Sequence, residues 1–342
     1  MRVLIFHPHL DVKGGSERLT KILYEGLKDL GVQAHLVSFA ATGDWFPDVI
    51  TAPEPAEVVR IADKIRPDWI FLTISETSYA KGLRDKARIA MYVHFPLEEE
   101  AEEENIHEYE KRGRFLLCYP EELKLIDRIF VNSRRTAMAV RLVWGRESIV
   151  AHPPLEKRFF ADDSPVRAFP PPVILSTGRF TPLKRQDFLI FALDRIREDI
   201  PEAELVLAGF PDPRHEEYYR EIKNMAEETE GVRIVESPSD EELFNLYGTA
   251  RVYAHPRIGE HFGISPCEAM ARGVPAVVRY PTGLKDIANQ FIARSDYAFI
   301  RMLTEVLKMT PSEWFKVNDK VRKSVSPLTP DNFVRTILGG LK

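Results

Sequence analysis

Short apolar runs alternate with longer amphipathic stretches from the first residues of the chain to about residue 280. Each apolar run has four to seven residues, and a polar stretch of helix length separates it from the next run. This alternation is typical of βαβ units, in which parallel strands are buried on both faces. Strands are predicted at Val3–Phe6, His35–Phe39, Trp69–Thr73, Ile89–Phe95, Arg128–Asn132, Ser148–Ala151, Val173–Thr177, Glu204–Ala208, Val232–Val235, Val252–His255 and Ala276–Arg279.

The alternation occurs in two blocks, and it predicts two doubly wound α/β domains. The length of 342 residues agrees with this, at about 150 residues per domain. The first helix is predicted over Ser16–Leu30, with its leucines on one face. Prolines between Pro153 and Pro172 indicate a linker. The predicted parts are residues 1–157, residues 158–325, and residues 326–342, which contain a helix over Pro330–Leu341. The crossing of this helix back toward the first domain is implied only by the resemblance described below.

The composition is that of a soluble globular protein, with 44% hydrophobic and 29% charged residues. No apolar run approaches the roughly 18 residues of a membrane helix, and the short apolar start is expected to be a strand and not a signal peptide. Two cysteines, Cys118 and Cys267, exclude a disulfide framework and favour a cytoplasmic location. Only 3 Gln and 7 Asn beside 25 Pro favour a thermophilic source, and chance composition in a mesophile stays open as the alternative.

The charge distribution is more informative than the formal net charge of −5, which demands no nucleic-acid partner. Residues 98–104 contain six glutamates, and a solvated surface is a better interpretation of this run than a cation site. Residues 1–157 hold 22 Lys and Arg against 25 Asp and Glu, but eight of these acids lie within residues 98–110. The rest of the first domain is therefore mildly basic, which suits an anionic acceptor.

Several familiar motifs are absent from the chain. No G-x-G-x-x-G follows the first strand, and neither G-x-x-x-x-G-K-[ST] nor G-x-S-x-G occurs. Their absence argues against a dinucleotide-dependent enzyme, a P-loop kinase and a hydrolase with a nucleophile elbow. There is also no D-x-D, so a metal-held diphosphate has no carboxylate pair. We therefore expect neither a metal nor a cofactor, and positive charge must come from the protein.

Two candidate features lie in the first domain. Gly14 and Gly15 stand between the first strand and the first helix, where backbone can approach a ligand closely and helix amides favour an anion. A plain tight turn with Ser16 as the helix N-cap is the alternative. His94 ends a predicted strand and is expected at the ligand-binding edge, although a structural histidine is an equal alternative.

Arg179 and Lys184 lie five residues apart on the loop after the first strand of the second domain. At the carboxyl edge of a parallel sheet, two such cations can clamp a diphosphate. They would stabilise the negative charge that builds on a leaving phosphate. Two solvated cations would be the better interpretation if this motif stood alone.

The segment Gly259–Pro275 carries Glu260 and Glu268, eight residues apart. We expect Ser265 to cap a helix, Pro266 to occupy its first position and Glu268 to lie in its first turn. Glu260 then lies in the preceding loop, beside backbone amides that suit a polyhydroxylated or anionic ligand. A helix-dipole role for Glu268 and an exposed loop position for Glu260 are the alternatives, and the full pattern is too specific for both.

Gly259–Pro275 resembles the E-x7-E segment of retaining glycosyltransferases of family 4. The resemblance covers nearly the whole chain, and it implies the GT-B fold: two Rossmann-like domains with parallel sheets facing across a cleft. Within this family, the chain is similar to mannosyltransferases of the dolichol-linked oligosaccharide pathway. The motifs that carry this closer similarity are Phe6-His7-Pro8, Tyr92-Val93-His94-Phe95-Pro96 and Glu260-His261-Phe262-Gly263-Ile264.

The resemblance implies roles for these residues. It implies that a hexose, mannose in the first place, moves with retention from a nucleotide sugar, GDP-mannose in the first place, to a lipid-linked or glycan acceptor. The leaving phosphate would take the acceptor proton. The implied catalytic set is His94, Arg179, Lys184 and Glu260. The implied donor-binding set is Gly14, Gly15, Arg179, Lys184, Glu260, Phe262, Gly263, Ile264 and Glu268.

The family pattern also bears on location and on partners. The lipid-using relatives and the mildly basic first domain predict a peripheral contact with the cytoplasmic face of a membrane, and a monomer or a weak dimer is expected. Three departures affect sugar specificity. Arg185 follows Lys184 where glycine is usual, Pro281-Thr282-Gly283 replaces a glycine pair, and Gln290-Phe291-Ile292 replaces a glycine-containing strand entry. A GT-B epimerase or phosphorylase, and a non-catalytic sugar-nucleotide binder, stay open as alternatives.

Overall fold

The structure is a computed structural model, and it describes residues 1–11, 14–43, 45–96, 120–161 and 166–342. The acidic run at residues 98–104 and Cys118 lie outside the described residues. The chain divides into two compact units. Unit 1 consists of Met1–Pro154 together with Leu328–Lys342, and unit 2 consists of Leu155–Pro327.

Unit 1 is built on a parallel sheet with the strand order β5-β3-β1-β6-β7-β8-β9. Its strands are β1 (Arg2–Phe6), β2 (His9–Leu10), β3 (Gln33–Ser38), β4 (Ala40–Ala41), β5 (Ile50–Thr51), β6 (Trp69–Leu72), β7 (Arg88–Val93), β8 (Arg128–Val131) and β9 (Ile149–Val150). The described helices before residue 155 are α1 (Gly15–Asp29), α2 (Pro55–Ile65), α3 (Ala80–Leu83), α4 (Pro120–Leu123) and α5 (Arg134–Trp144).

Alternate residues of the unit 1 strands point to opposite faces of the sheet, and each face is covered by helices. Val3 and Ile5 of β1 pack in one core with leucines of α1, whereas Leu4 and Phe6 pack in the other core with Val58 of α2. All pairings of this sheet are parallel. The continuous apolar runs are therefore explained by burial on both sides.

Unit 2 repeats this architecture with the parallel order β12-β11-β10-β13-β14-β15. Its strands are β10 (Val173–Thr177), β11 (Glu204–Gly209), β12 (Val232–Glu236), β13 (Val252–His255), β14 (Ala276–Arg279) and β15 (Ile292–Ala293). The helices of the remaining chain are α6 (Gln186–Arg197), α7 (Glu216–Glu228), α8 (Asp240–Thr249), α9 (Ile264–Ala271), α10 (Asp296–Leu307), α11 (Pro311–Val325) and, in unit 1, α12 (Pro330–Leu341).

The expectation of two doubly wound parallel domains is confirmed. The predicted strands β10, β13 and β14 have the predicted bounds, and so does the helix over Pro330–Leu341. The expected cap of the first helix is wrong in detail. The helix begins at Gly15 with Gly14 as its N-cap, and the Ser16 hydroxyl donates to the Glu17 carboxylate. Ser16 therefore lies inside the helix, where it cannot cap it.

Helix α12 packs against α1 in unit 1, and two neighbouring glycines of α12 meet different surroundings. A Cβ at Gly340 would lie 2.6 Å from the Phe130 ring and 2.9 Å from Ile149. A Cβ at Gly339 would meet nothing within 4 Å. The side of α12 that carries Gly340 is therefore packed against the sheet, and the side that carries Gly339 is open.

We predict opposite effects of Gly339→Ala and Gly340→Ala. Gly339→Ala should stabilise unit 1 by up to about 1 kcal/mol, because alanine has the higher helix propensity. Gly340→Ala should destabilise it by about 1–3 kcal/mol, because the aromatic ring must shift. Hydrogen exchange of the β1 and β6 amides measures this. Equal effects of the two substitutions would contradict the described docking of α12.

Candidate active site

The candidate residues of unit 2 lie in loops that follow its central strands. Arg179 and Lys184 follow β10, and Glu260 follows β13, which pairs with β10. Because parallel strands end at the same edge of the sheet, these loops meet there. Lys184 ends a short 3-10 turn, Pro182–Lys184, that precedes α6. The side chains are thus held on rigid neighbouring elements.

Glu260 is the centre of a charged cluster. Its Oε2 atom lies 2.8 Å from His255 Nε2, 3.5 Å from Lys184 Nζ and 3.9 Å from Arg257 Nε. Its Oε1 atom accepts the His261 backbone N–H at 3.1 Å. All three side-chain partners therefore gather at one oxygen. A carboxylate oxygen has two lone pairs, so Oε1 keeps room for another donor.

The cluster shifts the titration of its members. Although burial alone raises the pKa of the Glu260 carboxyl, Lys184, His255 and Arg257 together hold that pKa well below its usual range. Burial lowers the pKa of Lys184, and the Glu260 charge opposes this shift. Burial also lowers the pKa of His255, together with the Lys184 charge. Glu260 is therefore an anion at neutral pH, and His255 is a neutral donor to it.

Backbone hydrogen bonds fix the loop that carries Glu260. The Gly259 N–H donates to the Pro281 carbonyl at 3.1 Å, and the Gly283 N–H donates to the Glu260 carbonyl at 2.9 Å. Gly259 has a φ of 81°, a conformation that favours glycine. The segment Pro281-Thr282-Gly283, which departs from the family pattern, thus supports the Glu260 loop directly.

Arg179 and Lys184 do not share a partner. The Arg179 guanidinium lies 3.2 Å from Asp212 Oδ2, and Arg214 binds the same buried carboxylate at 2.7 Å. The Arg214 hydrogen bond, opposed by burial and aided by Arg179, lowers the pKa of Asp212. The Arg179 side chain remains 54% exposed. Arg179 is therefore oriented by Asp212 but accessible, whereas Lys184 is held by Glu260.

Helix α9 begins earlier than the sequence suggests. Gly263, at a φ of 96°, is its N-cap, and Ile264 is its first residue. The expectations that Ser265 caps it, that Pro266 is its first residue and that Glu268 lies in its first turn are wrong. Pro266 is the third helical residue, where proline is tolerated because that N–H has no intrahelical acceptor. Phe262 is buried, and the amides of the first turn follow it at the helix N-terminus.

Glu268 is positioned from the core of unit 2. The Tyr247 hydroxyl donates to Glu268 Oε2 at 2.7 Å. The same hydroxyl lies 3.2 Å from Thr177 Oγ1, which lies 2.9 Å from the Tyr253 hydroxyl. Tyr247 and Tyr253 are fully buried. A hydrogen-bonded chain therefore connects the Glu268 carboxylate with the end of β10.

The candidate residues of unit 1 are His94, Gly14 and Gly15. His94 directly follows β7, and its Nε2 atom lies 3.2 Å from the Thr73 carbonyl, so Nε2 carries the proton and Nδ1 is an acceptor. Burial lowers the pKa of His94 to about 4, which makes it neutral at neutral pH. The His94 carbonyl accepts from the Asn132 side chain at 2.6 Å. His94 is thus a fixed, neutral imidazole.

The chain was compared with known proteins. The family model for glycosyl transferases group 1 matches residues 160–298. The matched residues lie within unit 2. The chain is 25% identical over 239 residues to the human GDP-Man:Man(3)GlcNAc(2)-PP-Dol alpha-1,2-mannosyltransferase. The alignment covers 63% of the chain and 48% of that enzyme. It is 25% identical to the Schizosaccharomyces pombe alpha-1,3/1,6-mannosyltransferase alg2, over 82% of the chain and 67% of that enzyme.

The chain thus spans about half the length of the human relative and two thirds of the yeast relative. The fold is shared with solved structures. Anabaena Alr3699/HepE, in complex with UDP and glucose, matches with a TM-score of 0.78 at 15% identity, over 100% of this chain and 99% of that chain. The resemblance to dolichol-pathway-type glycosyltransferases and the GT-B fold class are therefore confirmed.

Two of the departures from the family pattern occupy left-handed backbone conformations in unit 2. Arg185 has a φ of 53° and Phe291 a φ of 60°. Such conformations are unfavourable for side chains with a Cβ, which explains why glycine is usual there. Arg185 offsets this cost with a bidentate pair to Asp296, at 3.0 and 2.7 Å, and with a contact to the Phe188 ring. Phe291 packs against the core of unit 2.

Sequence reasoning missed three residues of unit 2 that position the site. His255 holds Glu260, Asp212 holds Arg179, and Tyr247 holds Glu268. His255 had a detectable signal, because a histidine ends a buried strand at the carboxyl edge. Asp212 and Tyr247 had none, since each is recognised only by the side chain it contacts.

Two searches of the structure concern metals and membranes. Across the described ranges, no group of three or more His, Cys, Asp and Glu side chains could hold a metal ion. In the same part of the chain, no helix is long and apolar enough to cross a membrane.

We predict that acid destabilises unit 1 through its buried histidines. The pKa of His94 is lowered from 6.5 to about 4, so the unfolded chain binds more protons between these values. The free energy of unfolding should therefore fall as the pH drops from about 6.5, by about 2 kcal/mol at pH 5 for this residue. Hydrogen exchange of the β7 amides at pH 7 and pH 5, corrected for intrinsic rates, measures it.

A matched pair of variants separates His94 from other acid effects. His94→Phe should lose its part of the pH dependence, whereas His9→Gln, at an exposed position, should keep it. An unchanged pH dependence in His94→Phe would contradict the description of His94 as a buried neutral base.

Proposed function

We propose that the chain is a retaining glycosyltransferase that moves a mannosyl group from GDP-mannose to a lipid-linked glycan acceptor. The observation that carries this proposal is the Glu260 cluster beside the N-terminus of α9, within the residues that match the group 1 family. The human and Schizosaccharomyces pombe relatives are both mannosyltransferases, which supports the choice of mannose. The chain spans about half of the human relative, so the acceptor of this chain is to be identified by experiment.

The donor end of the proposed site is positively charged. Arg179, which is oriented but accessible, and Lys184 would bind the diphosphate of the donor. Glu268, held by Tyr247, would accept hydrogen bonds from the ribose hydroxyls. Glu260 would receive a sugar hydroxyl at Oε1, the oxygen that the side-chain cations leave open. The amides of Phe262, Gly263 and Ile264 would bind the same sugar.

The proposed reaction needs stabilisation of the negative charge on the leaving diphosphate, and it needs no carboxylate base to remove the acceptor proton. The bond between the anomeric carbon and the leaving phosphate breaks, and the acceptor oxygen bonds to that carbon on the same face. The acceptor proton passes to the leaving phosphate oxygen. Lys184 and Arg179 stabilise the negative charge that develops on the diphosphate. His94 is neutral, so its Nδ1 would accept from a hydroxyl of the transferred sugar and leave the acceptor proton to the phosphate. We expect no metal and no cofactor to take part.

The transfer assay tests the proposed function. Wild-type protein with GDP-mannose and a lipid-linked glycan should form a mannosylated product with retained anomeric configuration. Glu260→Gln and Arg179→Ala should each lower kcat by about 100-fold or more, because Glu260 holds Lys184 and would bind the sugar, and Arg179 would stabilise the charge on the leaving diphosphate. Product formation by mass spectrometry and anomeric NMR measures this.

Arg195→Ala provides the matched control, because Arg195 is exposed, pairs with Glu198 and lies over the Phe191 ring, both neighbours near its own helix. Its activity should equal that of the wild type. Full activity of Glu260→Gln would contradict the site. Isomerisation of the donor without an acceptor would support an epimerase instead, and tight GDP binding without turnover would support a non-catalytic binder. Stronger thermal stabilisation by UDP than by GDP would contradict the choice of donor.

A peripheral membrane contact is the second part of the proposal. Apart from residues 98–110, residues 1–157 are mildly basic. On the outer face of α5, Met138 is 64% exposed and Leu142 78% exposed, one turn apart and beside Arg141. Apolar side chains flanked by basic ones suit an anionic bilayer surface. The protein would then meet its lipid-linked acceptor at the membrane.

We predict that the double substitution Met138→Ser and Leu142→Ser weakens binding to vesicles of phosphatidylserine and phosphatidylcholine by about tenfold or more. Co-sedimentation at low and physiological salt measures the binding. Phe191→Ser is the matched control, because Phe191 is a 52% exposed apolar residue on a helix of unit 2. Equal binding by all three proteins would contradict a membrane contact through α5.

A further inference from the structure

The Glu17 carboxylate of unit 1 is nearly buried, and no cation pairs with it among the described residues. Glu17 lies in the first turn of α1 and is only 9% exposed. Its Oε1 atom accepts the Ser16 hydroxyl at 2.8 Å and lies 3.6 Å from His7 Nε2. Among the residues that the structure describes, no lysine or arginine forms an ion pair with it. Amides at a helix N-terminus favour a carboxylate at this position, and its two oxygens offer more acceptor sites than the Ser16 hydroxyl uses.

His7 does not neutralise this charge. The His9 N–H donates to His7 Nδ1 at 3.2 Å, so the proton lies on Nε2. Burial, together with nearby His94 and His9, lowers the pKa of His7 to about 3. The Nε2 atom is buried and has no hydrogen-bond partner in the described part of the chain. A neutral N–H is therefore directed at the Glu17 carboxylate, just beyond hydrogen-bond length.

Gly14 lies against the same carboxylate. A Cβ at Gly14 would overlap the Oε2 atom of Glu17, which would then have to shift. Gly14 has a φ of −113°, so backbone conformation does not demand glycine. Gly14 therefore leaves room for the observed position of the Glu17 carboxylate. We use the name Glu17 pocket for the group of neighbouring residues His7, Gly14, Ser16 and Glu17.

We propose that Glu17 binds hydroxyl groups of the acceptor sugar and that His7 is its positioning residue. Sugar hydroxyls are neutral donors, and a carboxylate can accept from two neighbouring hydroxyls at once. Sugar hydroxyls would therefore suit the Glu17 carboxylate, which has no cation beside it among the described residues. A phosphate would not suit it, because both groups are negatively charged. The proposal rests on the proposed function, in which unit 1 serves the acceptor.

Glu17→Gln is the decisive variant. Glutamine keeps the shape and can still serve a helix N-terminus, but it removes the charge. We expect the acceptor KM to rise by about tenfold to a hundredfold, the cost of losing a charged hydrogen bond. The Kd for GDP-mannose and the melting temperature should stay within error of the wild type. Glu25→Gln is the matched control, because Glu25 lies on the same helix, exposed and paired with Lys21.

His7 is tested through a conservative pair. His7→Gln can still donate toward Glu17 and should keep most of the acceptor affinity, whereas His7→Phe should raise the acceptor KM by about threefold to tenfold. Equal KM values in Glu17→Gln and Glu25→Gln would overturn the proposal. A weaker Kd for GDP-mannose in Glu17→Gln would overturn it as well, because Glu17 would then bind the donor.

A binding measurement without donor separates this proposal from the proposed function. Saturation-transfer NMR with α-1,3-mannobiose should show contact with the wild type and with Glu25→Gln, and loss of contact with Glu17→Gln. Absence of contact with the wild type would overturn the Glu17 pocket and leave the transfer assay unaffected. Absence of transfer with intact mannobiose contact would refute only the proposed function.

Discussion

The buried carboxylate of Glu260 is the interaction on which the unit 2 site depends. An anion inside a domain persists only where donors and cations surround it. Lys184 comes from the loop after β10, and His255 from the end of β13. Their common partner therefore joins two loops that the sheet alone would leave independent. The Gly283 amide joins a third loop through the Glu260 carbonyl.

The two units use charge differently. Unit 2 collects cations around anchoring carboxylates, with Lys184 at Glu260 and Arg179 at Asp212. This arrangement suits a ligand with a diphosphate. Unit 1 instead presents neutral imidazoles at His7 and His94 and an unneutralised carboxylate at Glu17. Such groups suit hydroxyls, which carry no charge. The two units thus present different chemistry at the same kind of place, the edge of a parallel sheet.

The departures from the family pattern show how tertiary contacts offset the conformational cost of a left-handed backbone. Arg185 and Phe291 accept a left-handed backbone that glycine adopts freely. Arg185 is held by Asp296 and Phe188, and Phe291 by the domain core. The same positions that looked anomalous in the sequence are therefore supported in the fold.

The sequence by itself determined the two parallel sheets, because continuous apolar runs between helices leave few other folds. It also indicated Lys184, Glu260 and His94 as candidates at the edges of the sheets, because a polar residue that follows a buried strand is visible in the local sequence. Tertiary structure alone decided their partners. Asp212, Tyr247 and His255 act through contacts with residues distant in sequence or hidden in a strand, and Gly14 serves Glu17. Start points of helices depended on capping geometry at Gly14 and Gly263, which composition does not encode.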